Sequence, residues 1–167
     1  MTFDDRFRTL FQTEFPRLFR YLDRLSGEPD VAADLAQEAF IRLNRRGVMP
    51  DHPGSWLVSV AMNLFRNLRS TDARRRRLLT VARAESVLAD PSPTPYQSSD
   101  TAESSERVRA AIGRLPEREQ RLLLLRAEGY SYRDIAAALE LNEASIGTLL
   151  ARAKRTFRKA YEGSDAS

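Results

Sequence analysis

Apolar residues recur with a helical period along most of the chain. Between Phe3 and Ser26 they fall three or four positions apart, which predicts an amphipathic helix with a kink or a new start at Pro16. After the break at Gly27, the pattern predicts a second helix that is capped by Asp30. The inward positions of this second helix would be Val31, Leu35, Ala39 and Leu43.

A loop and a third helix follow. Residues 47–54 hold two prolines and two glycines, which excludes a continuing helix there. Ser55 predicts the cap of a helix from Trp56 to about Leu68, with Leu57, Ala61, Leu64 and Leu68 turned inward. The polar side of this helix and the tract after it carry Asn63, Arg66, Asn67, Arg69, Arg74, Arg75, Arg76 and Arg77.

The second half of the chain is separated from the first by residues 89–106, which are rich in Pro and Ser and predict a flexible linker. Beyond it, the pattern predicts helices over Arg107–Leu115, Glu117–Ala127 with Gly129 as its C-terminal cap, and Tyr132–Leu139 with Ser131 as its N-terminal cap. A turn at 140–142 precedes a long basic helix that ends near Tyr161. No segment alternates with the period of a strand. The predicted fold is therefore all-α, with two small helical domains, 1–88 and 107–167, joined by the linker 89–106.

The last two predicted helices have the spacing of a helix-turn-helix motif. The first would bury Ile135, Ala136 and Leu139, and the second Ile146, Ala153 and either Leu149 or Leu150. In such a motif the start of the second helix enters the major groove, and basic residues contact phosphates. This predicts contacts with base edges by Asn142, Glu143, Ala144, Ser145 and Thr148, and with phosphates by Arg152, Lys154, Arg155, Arg158 and Lys159. The alternative is an ordinary antiparallel helix pair with a solvated charged face.

The distribution of charge favours a nucleic-acid partner more than its total does. The net charge is +4, but residues 89–106 contain acidic residues and no Lys or Arg, so the positive charge is concentrated in the two domains. The tract Arg74–Arg77 follows a helix with exposed polar residues, which favours a phosphate contact over a solvated helix face. Trp56, at a helix start, fits a core position better than a base-stacking platform.

Composition also excludes several classes of function. The chain has no cysteine, and its one histidine, His52, lies in the Pro/Gly loop, which leaves no thiolate chemistry, His-based triad or His-rich metal site. We therefore expect no cofactor and no enzymatic activity. The first residues mix charged and apolar side chains and do not form a signal peptide, and no apolar run is long enough to span a membrane, so we expect a cytoplasmic protein.

One face of the predicted second helix carries Asp34, Gln37, Glu38 and Ile41 at positions i, i+3, i+4 and i+7. Its carboxylates could suggest an acid/base pair, but that chemistry needs a pocket and a reaction partner that the sequence does not indicate. A protein-docking surface or simple solvation explains this face better.

Five motifs, in order, resemble extracytoplasmic-function (ECF) sigma factors of the sigma-70 family. Residues 29–43, PDVAADLAQEAFIRL, and the pattern GSWL through AMN at 54–63 are similar to region two of that family. Residues 115–119, LPERE, residues 129–136, GYSYRDIA, and residues 152–154, RAK, are similar to region four. The resemblance runs from about Leu10 to Tyr161 and places a linker where this chain has one.

The resemblance implies a role for each surface. The face of Asp34, Gln37, Glu38 and Ile41 would dock on the clamp helices of the RNA polymerase β′ subunit. The loop 45–54 and the third helix would open the promoter minus-ten element, with contacts from Trp56, Asn63, Arg66, Asn67, Arg69, Arg74, Arg75, Arg76 and Arg77. The second domain would bind the minus-35 duplex through Ser131, Arg133, Asn142, Glu143, Ser145, Thr148, Arg152, Lys154 and Arg155, and its apolar flank would meet the β flap. The linker would run through the RNA exit channel, and an anti-sigma factor would hold the protein inactive.

This sequence departs from the family pattern at four places that bear on promoter choice. Glu140 stands where a turn glycine is usual, and an ordinary side chain tolerates a positive φ poorly. The start of the last helix, 145–150, lacks the usual Lys and Arg. Asn67 stands where Asp is common, and Met62 where Arg is common. We expect no additional C-terminal domain of the kind that some relatives carry.

Two other functions compete with this interpretation. A stand-alone helix-turn-helix regulator would use the first domain for dimerisation or sensing and would bind two-fold symmetric DNA sites. An all-α adaptor would bind only proteins and would show no salt-dependent DNA affinity. The Gln37–Glu38 face, the arginine tract and the linker fit the first poorly, and the basic last helix fits the second poorly.

Overall fold

The structure is a computed structural model that describes residues 1–82 and 99–163. Within these residues every regular element is helical. Three helices form the first part of the chain: α1 (Phe3–Ser26), α2 (Pro29–Arg46) and α3 (Pro53–Ala82). The second part contains α4 (Ser99–Gly113), α5 (Glu117–Ala127), α6 (Tyr132–Leu139), a short 3₁₀ turn (Glu143–Ser145) and α7 (Ile146–Gly163). The all-α prediction is confirmed.

The first domain is a three-helix bundle around α2. Small residues on α2, Ala32, Ala36 and Ala39, are fully buried and let the neighbouring helices approach closely. Larger side chains fill the space between them: Leu18, Tyr21 and Leu22 of α1, Phe40 and Leu43 of α2, and Leu57, Val58, Met62 and Phe65 of α3. At the outer end of the bundle, Phe7, Phe11 and Phe15 surround Phe40 with ring centroids 5.1–5.9 Å away.

The second domain buries one face of each of its longer helices. Ile146, Leu150 and Ala153 of α7 pack against α5, whose Leu122, Leu124 and Leu125 are buried. The sequence left Leu149 and Leu150 as alternatives for the inward position. Leu150 is buried at 2% exposure, whereas Leu149 is only partly buried at the edge of the core.

The two domains pack against each other. Helix α3 contacts α6, helix α1 contacts α5, and buried side chains of both domains form one continuous hydrophobic cluster. This arrangement places residues of the helix-turn-helix next to the start of α3.

Helix α3 is longer than the sequence predicted. The apolar pattern indicated an end near Leu68, but the helix continues to Ala82 and includes the arginine tract. Arginine is a good helix former, and with no Gly or Pro after Gly54 nothing in the segment stops the helix. The tract therefore extends α3 and does not form a separate basic segment.

Two predicted helix caps are wrong because proline moves the helix start. Pro29 occupies the first turn of α2, so Glu28 is the capping residue and Asp30 lies inside the helix. Pro53 likewise begins α3, and the Ser55 hydroxyl donates a hydrogen bond to the His52 carbonyl at 3.1 Å. The Ser131 cap is as predicted, since its hydroxyl accepts from the Asp134 amide at 3.1 Å.

Two further boundaries and one cap differ from the prediction. Helix α1 runs through Pro16 without a new start, because apolar residues on both sides of it pack on the same core. The predicted linker is helical from Ser99 onward, in a stretch that contains no Gly or Pro before Gly113. The rest of that linker, 89–98, lies outside the described residues. Helix α5 has its predicted bounds, Glu117–Ala127, but its C-terminal cap is Glu128 and not Gly129, which follows with φ +86°.

Candidate nucleic-acid interface

Two side-chain caps and one left-handed helix end shape the helix-turn-helix. Ser131 caps α6, and Glu140 ends it in the left-handed conformation while the Leu141 amide donates to the Ala136 carbonyl at 2.8 Å. Asn142 then uses its side-chain oxygen to accept a hydrogen bond from the Ala144 amide at 3.1 Å. The two caps and the helix end fix the angle at which α7 leaves the turn.

The exposed side of α7 and the turn before it carries the predicted DNA-contacting residues. Glu143, Ala144, Ser145 and Thr148 are exposed at the start, and Arg152, Lys154, Arg155, Arg158 and Lys159 are exposed further along. Ile146, Leu150 and Ala153 face the core instead. The Asn142 side-chain oxygen accepts the capping hydrogen bond from the Ala144 amide, and the side-chain amide nitrogen remains as the group that could donate to a base.

A second polar surface runs along α3. Asn63, Arg66 and Asn67 are exposed, and Arg66 donates to the Asn63 side-chain oxygen at 3.0 Å. Arg74, Arg75 and Arg76 are exposed further along the same helix, whereas the Arg77 side chain lies outside the described residues. Trp56 is half-buried against the core, with the Arg46 guanidinium 5.6 Å from its ring. This helix therefore presents polar and basic groups over a long distance.

The predicted docking face on α2 is on the surface. Asp34 and Gln37 are exposed, Ile41 is 44% exposed, and Glu38 is half-buried. Glu38 also accepts a hydrogen bond from Arg42 at 3.3 Å. An exposed isoleucine beside acidic and amide groups has the mixed character of a protein-docking surface.

The structure also brings together residues that the sequence did not single out. Arg20 and Arg24 of α1 both contact the Glu128 carboxylate, at 2.8 and 2.7 Å, and the Glu128 side chain is only 6% exposed. The signal in the sequence was the spacing of Arg17, Arg20 and Arg24, which puts three arginines on one face of α1. Charged residues at that spacing are usual on a solvated face, so their partner in the other domain could not be predicted.

Two DNA-contact candidates also bridge the domains. Arg133 of α6 lies 2.9 Å from the His52 ring nitrogen, and Arg69 of α3 lies 3.3 Å from the Glu117 carboxylate. Gly54 is close to the same contact region, since a Cβ placed there would lie 3.8 Å from a carboxylate oxygen of Asp134. The structure thus brings the start of α3 and the first helix of the helix-turn-helix together.

Burial and charge at this contact shift the pKa of two groups. Burial raises the pKa of the Tyr130 hydroxyl well above its ordinary value, against the opposing effect of Arg17. For Arg17, burial lowers the pKa, but the hydrogen bonds and charge of Glu14 outweigh it and raise the pKa overall. Arg17 therefore stays charged and Tyr130 stays neutral.

Neither a metal site nor a membrane span is found in the described part of the chain. No group of three or more potential metal-ligating side chains occurs there, and none of its helices is long and apolar enough to cross a bilayer.

The chain matches two protein families in its two halves. Residues 10–76 match the family described as Sigma-70 region 2, and residues 105–157 match Sigma-70, region 4. The ECF RNA polymerase sigma factor EcfG of Rhodopseudomonas palustris is 32% identical over 164 residues, with 95% of this chain and 85% of that protein covered. The chain belongs to the ECF sigma factors.

Other relatives agree with this assignment. The sigma factor YlaC of Bacillus subtilis is 26% identical, with 93% of this chain and 91% of YlaC covered. The probable sigma factor RfaY of Xanthomonas campestris is 35% identical, but the matched part spans only 34% of its length. The fold also matches that of the sigma factor RpoE in complex with the anti-sigma factor NepR from Bartonella quintana, with a TM-score of 0.65, 21% identity and coverage of 95% and 98% of the two chains.

The resemblance stated from the motifs is therefore confirmed. This ECF sigma factor acts in promoter-specific transcription initiation as a partner of RNA polymerase.

Proposed function

We propose that this sigma factor divides promoter recognition between its two domains. Helix α3 and the loop before it would bind and open the minus-ten element, and α6 and α7 would bind the minus-35 element as duplex. The observation that carries the proposal is the exposed start of α7, held in place by the Ser131 and Asn142 caps while Ile146 and Leu150 anchor the helix.

The polar side of α3 suits single-stranded or partly opened DNA. Asn63 and Asn67 offer both donors and acceptors, and Arg66, Arg69 and the tract that follows would contact phosphates. Holding an unstacked base offsets the few kcal/mol that its removal from the duplex costs. Trp56 is half-buried, which favours a supporting role beneath such a base over a fully exposed stacking platform.

The face of α2 that carries Asp34, Gln37, Glu38 and Ile41 would dock on the clamp helices of the polymerase β′ subunit. The apolar flank of the second domain would dock on the β flap. Each domain alone would bind weakly, and joining them raises the effective concentration of the second at the promoter. The protein itself would carry out no catalysis and need no cofactor, and it would work in the cytoplasm beside the polymerase. An anti-sigma factor, of the kind bound to the related RpoE, would regulate it.

The direct test is run-off transcription with bacterial core polymerase on a pool of promoter fragments from the genome that encodes this chain. We expect discrete transcripts only when both protein and core polymerase are present, with start sites that define the minus-ten and minus-35 sequences. If the protein binds DNA as a symmetric dimer and adds no transcript, it is a stand-alone regulator.

The division of labour is tested by Glu38→Arg on α2. Reversing this charge should weaken core polymerase binding by about tenfold. The reason is that an acidic docking face is expected to meet a basic surface, and placing an arginine against that surface would cost on the order of 1–2 kcal/mol. The affinity of the full chain for a minus-35 duplex, measured by fluorescence anisotropy, should stay unchanged.

The matched control is Glu28→Arg, which makes the same charge change at the start of α2, where the Glu28 side chain makes no capping hydrogen bond. Equal loss of polymerase binding in both variants would show only a general charge effect. Loss of DNA affinity in Glu38→Arg would contradict the separation of the two surfaces.

A further inference from the structure

Three arginines on one face of α1 hold the second domain against the first. Arg17, Arg20 and Arg24, here called the arginine row, all face the turn between α5 and α6. The Glu128 carboxylate in that turn is shared by Arg20 and Arg24, one oxygen to each, and is almost fully buried. A carboxylate buried between two guanidinium groups is a specific contact, since leaving it unpaired would be costly.

Arg17 is positioned at the same turn by three contacts. Its guanidinium lies 3.8 Å from the centroid of the Tyr130 ring, which is 1% exposed. It donates a hydrogen bond to the Gly129 carbonyl at 3.4 Å, and it forms an ion pair with Glu14 of the same helix at 2.7 Å. The stacking on Tyr130 and the ion pair with Glu14 together fix the orientation of the Arg17 guanidinium at the turn.

The packed arrangement engages groups that promoter binding would need. Arg133 contacts His52 and Arg69 contacts Glu117, each across the two domains. Helix α6 also packs on α3, so the helix-turn-helix lies against the helix assigned to the minus-ten element. A chain in this closed arrangement cannot use these contacts and DNA contacts from the same side chains at once.

We propose that the arginine row is an internal docking surface for the second domain, which closes the free protein and competes with promoter DNA. The proposal rests on the proposed function, because it takes Arg69 and Arg133 to be DNA contacts. When only a fraction of the molecules is open, the apparent affinity for DNA falls by that fraction. Breaking the row should therefore strengthen DNA binding.

This outcome runs against the simple electrostatic trend and so makes a sharp test. The double substitution Arg20→Gln/Arg24→Gln removes two positive charges, which by counterion release alone would weaken DNA binding. We expect the full-length variant to bind a promoter duplex about fivefold more tightly than the unmodified chain in fluorescence anisotropy at fixed salt.

The matched control is Arg6→Gln/Arg8→Gln, which removes two exposed charges from the same helix at its other end. Its affinity should be unchanged or slightly lower. If the Arg20/Arg24 variant binds DNA no more tightly than this control, the proposal is wrong.

A distance measurement tests closure directly and does not depend on affinity. The chain has no cysteine, so Asn44→Cys on α2 and Ser105→Cys on α4, both exposed, provide two unique sites for a fluorescent donor and acceptor. We expect efficient energy transfer in the free protein, and a fall in transfer when promoter DNA is added or when Arg20 and Arg24 are replaced. Transfer that neither change alters would overturn the proposal.

Run-off transcription distinguishes a failure of the proposed function from a failure of the proposed closure. If the unmodified chain supports no transcription with core polymerase, the proposed function itself is wrong. If it does support transcription, but the Arg20/Arg24 variant matches the control in both affinity and energy transfer, only the closure is wrong.

Discussion

Glu140 adopts a backbone conformation that favours glycine. It has φ 56° and ψ 47°, and it is the one non-glycine residue with positive φ among those the structure describes. For a residue with a Cβ this conformation costs roughly 1 kcal/mol. The turn is kept because Leu141 packs on the core and its amide bonds to Ala136. The departure from the family pattern thus costs stability, while Glu140 still adopts the left-handed conformation that glycine favours.

Replacing Glu140 with glycine should therefore stabilise the second domain. We expect Glu140→Gly to raise the free energy of unfolding by about 0.5–1 kcal/mol in urea denaturation, since glycine removes the strain at this φ. Glu140→Ala is the control, because it removes the exposed carboxylate but keeps the Cβ. An equal gain in both variants would assign the effect to charge and not to the backbone.

Single residues show where a sequence pattern is sufficient to predict the structure and where it fails. The motif order identified the family, and the polar and apolar positions placed α6 at its observed bounds. Met62, which stands where relatives often have arginine, is buried, and it accepts a hydrogen bond from the Tyr21 hydroxyl at 3.3 Å. That substitution changes the core of the first domain, which no local pattern could show, because its partner is distant in the chain.

The length of α3 is the largest difference between the predicted and the observed helices. Periodicity detects a helix only while one face is buried, and the last part of α3 projects beyond the bundle with exposed arginines. The domain contact of the arginine row could not be predicted for a similar reason. A charged stripe on a helix has the same sequence pattern whether water or a second domain covers it. Contacts between domains depend on both surfaces, and a pattern describes only one.

The extended end of α3 leads to a prediction about salt. If Arg74 and Arg75 bind phosphates, then Arg74→Gln/Arg75→Gln should reduce the slope of log affinity against log salt by roughly 0.7–0.9 for each phosphate that is no longer neutralised. The slope is measured for the full chain on a partly single-stranded minus-ten fragment over a series of salt concentrations. Arg6→Gln/Arg8→Gln should leave it unchanged. A slope that both variants reduce equally would show that only net charge matters.

The continuous hydrophobic cluster and the ion pairs of Glu128 together hold the two domains in contact. The cluster supplies non-directional stability, and the arginine row sets the orientation in which α6 meets α3. Glu128 is nearly buried, whereas Arg20 and Arg24 are 52% and 54% exposed, so water screens these ion pairs only in part. If this arrangement is the closed state of the free protein, as proposed above, DNA and polymerase must offset the loss of both the cluster and the ion pairs to open it.

A disulfide across the domain contact should lock this state. A Cβ at Gly54 would lie 3.8 Å from a carboxylate oxygen of Asp134, which places the thiols of Gly54→Cys and Asp134→Cys on facing sides of the domain contact. The chain has no other cysteine, so oxidation can form only this intramolecular link. We expect the oxidised double variant to lose transcription with core polymerase by at least about tenfold, because the closed fraction approaches one.

Adding a reductant should restore transcription by the same protein, and this excludes a misfolded variant as the cause. The single variants Gly54→Cys and Asp134→Cys should respond to neither oxidant nor reductant while they remain monomeric. Failure of the disulfide to form would show only that these two thiols do not reach the geometry that a disulfide needs. Full transcription by the oxidised form would show that they need not separate at this contact to initiate.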